Sequence, residues 1–426
     1  MTTSLLVSRR TLLLILRLSN PEKMENELTI QEIYRAQFVL KNIIRETPLV
    51  VAPSIKAGCE IYIKPENLQV TGSFKVRGAS YMISQLSDEE KERGVIACSA
   101  GNHAQGVALS AQKYGIKSCI CLPAGAPISK VEATRSYGAE ICLVPGVYDD
   151  AYAHALKLRD ERGMTFVHPF DNPKVIAGQG TIALEILNEL SDVDNIIVPV
   201  GGGGLISGIA YAAKQLNPNI KVWGVQGAGA PSMQQSLEHG QIERLYSVST
   251  IADGIAVKEP GELTFSLCQK YVDGIVTVSD DEVCAAILHL LEKHKMIAEG
   301  AGAVSVAAAM FGNLPLEGKK TVCVVSGGNI DVTMLNRIIN RGLQKGGRLC
   351  TLSLEIADRP GQLTLVSQLI ANLGANVTGV LHERTNAFIN VNSCVLRISM
   401  ETRDQDHINE ICRVLAENGF TILGES

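Results

Sequence analysis

The chain has 426 residues, 46% of them hydrophobic and only 4% aromatic, with 39 glycines and a formal net charge of −5. That balance suits closely packed α/β layers, excludes a disordered or fibrous chain, and leaves no basic footprint for nucleic acid. The length allows two or three units at roughly 100–200 residues each, and a small molecule is the expected partner.

Residues 1–23 read as an N-terminal extension. Arg9, Arg10 and Arg17, the lack of acidic residues before Pro21 and the apolar run Leu12 to Leu16 are features of organellar presequences. That run is well short of the ~20 residues that span a membrane. The reading adopted takes Met24 as the working start and the protein as cytoplasmic, with an organellar location as the alternative if 1–23 is a presequence. Thr29 to Ile44 has helical periodicity, with Ile30, Ile33, Tyr34, Phe38, Val39 and Ile43 apolar, and stops before Thr47-Pro48. Glu60 to Lys64 reads as a strand.

Thr71-Gly72-Ser73-Phe74-Lys75-Val76-Arg77-Gly78-Ala79 follows. A lysine at a helix start opposes the macrodipole, which favours anions there. It is either a surface lysine in a glycine-punctuated turn or an amine made nucleophilic by burial, able to hold a carbonyl as a Schiff base. Strands and helices then alternate: strands at Val95 to Ser99, Lys117 to Leu122 and Glu140 to Val144, helices at Asn102 to Tyr114 and Ser129 to Tyr137. A second series has strands at Asn195 to Val200, Lys221 to Val225, Ile275 to Val278 and Thr321 to Val325, with a helix at Gly204 to Leu216. Short continuous apolar runs at this spacing indicate doubly wound, mostly parallel sheets in two lobes, with a ligand cleft at the strands' carboxyl ends.

Three further motifs lie at such ends. Ser99-Ala100-Gly101-Asn102-His103 offers an amide at a helix start, with His103 read as a satisfied structural histidine. Gly201-Gly202-Gly203-Gly204-Leu205 can present backbone amides to a phosphate; it lacks the G-x-G-x-x-G spacing of a dinucleotide site, so a monophosphate fits better. Ser326-Gly327-Gly328-Asn329 places a hydroxyl where it either closes a structural turn or meets a ring nitrogen. The eleven cysteines never form a C-x-x-C pair, and Cys119, Cys121 and Cys323 sit in apolar runs, so free buried thiols in a reducing compartment are expected.

Lys345-Gly346-Gly347-Arg348 reads as a linker. Beyond it Cys350 to Ile356 alternates as a strand, Asp358-Arg359-Pro360-Gly361 turns, and the order βαββαβ through Thr421-Ile422-Leu423 is ferredoxin-like.

Ser73 to Ala79, Ser99 to His103 and the glycine loop, taken together over about 28–343, closely resemble the fold-type II pyridoxal-phosphate enzymes, and among them the threonine ammonia-lyases (threonine dehydratases). The resemblance implies pyridoxal 5'-phosphate as cofactor and a catalytic domain over 24–345 with a small lobe at about 66–162. It implies Lys75 as the Schiff-base lysine and base. Asn102 would meet the cofactor's phenolic oxygen, Gly201 to Gly204 with Leu205 its phosphate, and Ser326 its ring nitrogen. Ser99, Ala100, Gly101 and Asn102 would receive the substrate carboxylate. Glu299 matches an acidic position beside the ring. The implied reaction is β-elimination of L-threonine to 2-oxobutanoate and ammonia, with L-serine as a weaker substrate.

Serine dehydratases and serine racemases are close relatives. Racemases carry a second serine where Ala100 stands, and acidic metal ligands where Gln226 and Ser232 stand, so racemisation is expected to be poor and no metal is expected. A catalytically idle amino-acid-binding regulator is the alternative of another class. Residues 349–426 resemble an ACT domain, which implies an amino-acid effector, isoleucine or valine, or else an oligomerisation module, and a homo-oligomer.

Overall fold

A computed structural model of the chain describes residues 28–384 and 390–425. The extension expected over 1–23, and with it the choice of Met24 as start, lies outside the described residues. The described chain forms two compact units, divided between Asp331 and Val332. No helix among the described residues is long and apolar enough to cross a membrane.

In the first unit a helix at Ile30–Leu40 precedes β1 (Val50–Val51) and β2 (Glu60–Pro65). The chain then builds one lobe from β3 (Val95–Cys98), β4 (Ser118–Pro123), β5 (Glu140–Val144) and β6 (Thr165–Phe166), and returns through β7 (Asn195–Pro199), β8 (Lys221–Gly227), β9 (Gly274–Val278) and β10 (Lys320–Val325). The smaller sheet has the order β5-β4-β3-β6 and is parallel throughout. The larger has the order β1-β2-β10-β7-β8-β9 and is parallel except for β1. Val95 to Cys98 and Asn195 to Pro199 are buried along their whole length, as strands covered by helices on both faces must be.

The small lobe reaches past residue 162, because β6 closes its sheet by pairing Val95 with Thr165 and Ile96 with Phe166. Both lobes are doubly wound, and the ends of β3, β7 and β10 open toward one cleft.

The second unit contains the helix Val332–Lys345, which the composition places before the linker; it is amphipathic, buries Ile338 and contacts the first strand of this unit. That strand is β11 (Leu349–Ala357), followed by β12 (Asn376–Glu383), β13 (Ser393–Glu401) and β14 (Thr421–Glu425), with helices at Gln362–Asn372 and Gln405–Glu417. The antiparallel order β12-β13-β11-β14 is that of a ferredoxin-like sheet. Strict alternation along β11 sends Cys350, Leu352, Leu354 and Ile356 toward the two helices.

Candidate active site

Lys75 opens the helix Lys75–Ser84, and Phe74 before it offers no side-chain cap. The start is fixed by backbone stitching to the turn after β10: Phe74 N donates to Ser326 O at 3.1 Å and Gly328 N to Gly72 O at 2.9 Å. Gly72 has a φ of +70°, and a Cβ there would strike the Asn329 amide. Lys75 Nζ donates to Pro169 O at 2.9 Å and lies 5.3 Å from the Phe74 ring centroid. Burial lowers its pKa to about 8, against the charge of Glu299, which raises it. The amine is therefore partly neutral near neutrality, as a nucleophile requires.

Two residues farther on, Arg77 projects to the opposite side of the helix, at about 100° per residue. It is fully buried, with Nε and NH2 on the two Glu66 oxygens at 2.7 and 2.8 Å and NH1 on Glu185 at 2.6 Å. Lys64 joins Glu185 at 2.5 Å and the Thr47 carbonyl at 2.6 Å. Burial by itself would raise Glu66, but the charge and hydrogen bonds of Arg77 outweigh it and hold the carboxylate below its usual range. Two cations and two carboxylates make this cluster formally neutral, and it anchors the helix from behind.

After β3, Ser99 to Gly101 turn the chain and Asn102 starts the helix Asn102–Tyr114. Gly106 on this helix lets it close on Lys75: a Cβ would lie 3.2 Å from the Lys75 carbonyl carbon. Asn102 Nδ2 donates to Glu299 Oε1 at 2.7 Å, and its Oδ1 accepts from Asn329 Nδ2 at 2.7 Å. The amide orientation is thus set from both ends, with one of its two N–H groups left for a ligand. Burial and the charge of Asp253 raise Glu299 to about 7. His103 is engaged at Nε2 by the Val167 carbonyl at 2.8 Å, and burial with the nearby Lys75 charge lowers it to about 3. It is a neutral structural histidine and no base.

The loop after β7 is shaped by what surrounds it. A Cβ on Gly202 would enter the Phe170 ring, one on Gly204 would lie 2.9 Å from Phe170 Cα, and one on Gly201 3.0 Å from Ile255 Cα. Gly203, at φ +97°, caps the helix Gly204–Leu216, whose N-terminus has no side-chain cap and is buried. Amides of a buried first turn need an acceptor, and an anion of phosphate size supplies it. Thr264 braces the loop by donating to Gly202 O at 2.6 Å. Ser326, buried at the end of β10, donates to Ala301 O at 3.3 Å.

Lys75, Ser99, Ala100, Gly101, Asn102, Gly201 to Gly204, Leu205, Glu299 and Ser326 all line one cleft of about 970 Å³. Sequence reasoning missed the turn from His168 to Asp171, which supplies the Lys75 acceptor and the Phe170 ring beneath the glycine loop, and whose His-Pro-Phe-Asp composition between a strand and a helix was the available signal. It also missed Asp253, which faces Lys130 across the cleft at 3.0 Å. Gln226 accepts from Gln234 N at 2.9 Å and Ser232 donates to Val257 O at 2.7 Å, so neither offers a carboxylate to a cation. An uncapped buried helix start, a lysine of lowered pKa and an oriented amide fit pyridoxal phosphate.

Residues 40–328 match the family described as pyridoxal-phosphate dependent enzyme. The chain is 50% identical over 397 residues to an L-threonine ammonia-lyase of Thermotoga maritima, covering 93% of this chain and 99% of that one. Among solved structures it is similar to the processed form of threonine deaminase isoform 2 from Solanum lycopersicum, with 39% identity, a TM-score of 0.69, and 74% of this chain and 95% of that one covered. It is also similar to maize serine racemase, at 35% identity and a TM-score of 0.70, over 75% of this chain and 99% of that one. The chain belongs to the family of pyridoxal-phosphate-dependent enzymes that includes the L-threonine ammonia-lyases.

Proposed function

We propose that this chain converts L-threonine to 2-oxobutanoate and ammonia by β-elimination, and L-serine to pyruvate more slowly. Pyridoxal phosphate, when bound, supplies a carbonyl for covalent linkage to an amine and a ring that accepts the electron pair left at Cα. Lys75, lowered to about 8 by burial, provides the amine that holds the cofactor and afterwards takes the Cα proton. The free N–H of Asn102 would hold the cofactor's phenolic oxygen. Gly201 to Gly204 and Leu205 would hold its phosphate, and the Ser326 hydroxyl would serve its ring nitrogen. Ser99 to Asn102 orient the substrate carboxylate; the β-hydroxyl leaves as water with the proton that Lys75 has taken, and the released enamine, as its imine, takes up one water to give 2-oxobutanoate and ammonia.

The observation that carries this reading is the position of Lys75, which lines the same cleft as the uncapped glycine loop. Ala100 cannot exchange a proton on the opposite face of the substrate, which favours elimination over racemisation. The test is 2-oxo acid production from both amino acids by wild type and Lys75→Ala. Production mainly from threonine, abolished in the variant, supports the reading; racemised serine without 2-oxo acid would replace it with a racemase.

The ferredoxin-like antiparallel sheet of the C-terminal unit is compatible with an ACT domain, and the Thermotoga relative matches over nearly the whole chain. On that basis we assign it an amino-acid-sensing role in a cytoplasmic homo-oligomer, with isoleucine or valine as effector. Absence of any effect or binding by either amino acid would remove the effector and leave an oligomerisation module.

A further inference from the structure

The C-terminal unit brings together three side chains that no sequence motif links. Asp358 follows β11, His382 lies near the end of β12, and Cys394 near the start of β13. Strand register explains the convergence. Cys394 pairs with Ile356 and His382 with Leu396, so thiol and imidazole share the face that carries Leu396. The chain leaving Ile356 then delivers Asp358 to the same corner.

His382 Nε2 and Cys394 Sγ are 2.7 Å apart, and one donor atom from each of the three residues lies within 4.8 Å of the other two. Zinc bonds to oxygen, nitrogen and sulfur run about 2.0–2.3 Å, so small side-chain rotations bring the three donor atoms to the spacing of ligands on one ion. Sulfur and imidazole donors disfavour calcium and magnesium, which take oxygen, and favour a borderline-soft ion. Cys394 is buried whereas Asp358 and His382 are exposed, so the site has an inner anchor and an open entry. Asp358 Oδ1 accepts from Arg384 at 3.1 Å, an outer-shell contact that orients the carboxylate and leaves its second oxygen for a metal.

We propose that Asp358, His382 and Cys394 form a three-ligand zinc site on the C-terminal unit, with the fourth position taken by water or an external ligand. The ion ties the ends of β11, β12 and β13. The Cys394 thiol must lose its proton to solvent on binding.

The test titrates full-length holoenzyme with Co²⁺, then displaces it with Zn²⁺ in competition with a chromophoric chelator. Tetrahedral cobalt bands at wavelengths beyond the cofactor's absorption are expected, lost in Cys394→Ser. Exposed His382 is replaced with little risk to folding, and His382→Ala and Asp358→Asn should each weaken zinc by at least about tenfold, the lower bound for losing even an outer-shell partner. Metal-free 2-oxo acid production should be unchanged in all three variants. Absence of cobalt bands in wild type, or equal zinc affinity in wild type and the three variants, would overturn the site.

Discussion

The two units bury different things. In the first, Lys64, Glu66 and Arg77 are each 0% exposed and Glu299 is 6% exposed. In the second, the core is aliphatic and sulfur-bearing apart from Phe420, and His407 is the one buried polar side chain among the described residues of that unit. A buried ion cluster is a poor source of net stability, because desolvation offsets its Coulomb energy. What it supplies is a fixed arrangement, and the unit that must hold a reactive amine is the one that has it. The sheet of the second unit needs only alternation and packing.

The sharpest way to break this contrast is Arg77→Leu. It leaves Glu66 sealed without its cation and should cost about 3–5 kcal/mol in urea unfolding. Replacing Glu66, Glu185 and Lys64 as well, by apolar residues of similar volume, should recover much of that; no recovery would mean the cluster is not the source. In the second unit the corresponding loss is steric. Leu354→Ala, in the centre of β11, should cost about 2–5 kcal/mol through the cavity it leaves, with no dependence on pH.

Glu299→Gln tests the cleft in cofactor-free protein. The folded carboxyl ionises near 7 against a reference value of 4.5. Unfolding therefore becomes favoured as pH climbs between those values, and the wild type loses of order 2–3 kcal/mol by the upper end. Glutamine keeps an oxygen for the Asn102 donor and carries no charge. The variant should match wild type below the reference value and exceed it above 7; a pH-independent difference would refute the burial argument. The smallest effect is expected at the surface of the second unit. Arg413 and Glu417 pair at 2.8 Å but are 61% and 58% exposed, and Glu417→Ala should change stability by less than about 0.5 kcal/mol.

Much of this architecture is legible in the chain. The strands of the first unit appear as short apolar runs because both faces are covered, and the helices Asn102–Tyr114 and Gly204–Leu216 begin at the motifs that betray them. Other helices hide for physical reasons. Tyr148–Arg162 buries only Ala151 and Ala155, too small to leave a visible stripe. Gly300–Phe311 is buried from Gly300 to Ala309, so it has no polar face to set a period. In the cleft, local motifs mark Lys75, Asn102 and the glycine loop. Phe170 and Asp253 act across long sequence separations; the His-Pro-Phe-Asp turn hints at the first, and nothing next to Asp253 in the chain marks that it meets the site. The same holds for Asp358, His382 and Cys394, which only strand register unites.

Lys75 and Arg77 share one turn of one helix, and that turn works as a short lever with its fulcrum sealed in the interior. The backbone that carries the amine cannot shift in the cleft without dragging a guanidinium held by two carboxylates. Its aim is thereby insulated from the surface: changes on the outside of either lobe have little purchase on it. A conservative exchange of Arg77 for lysine, which loses the two-pronged grip on Glu66, should instead misdirect a residue it never touches.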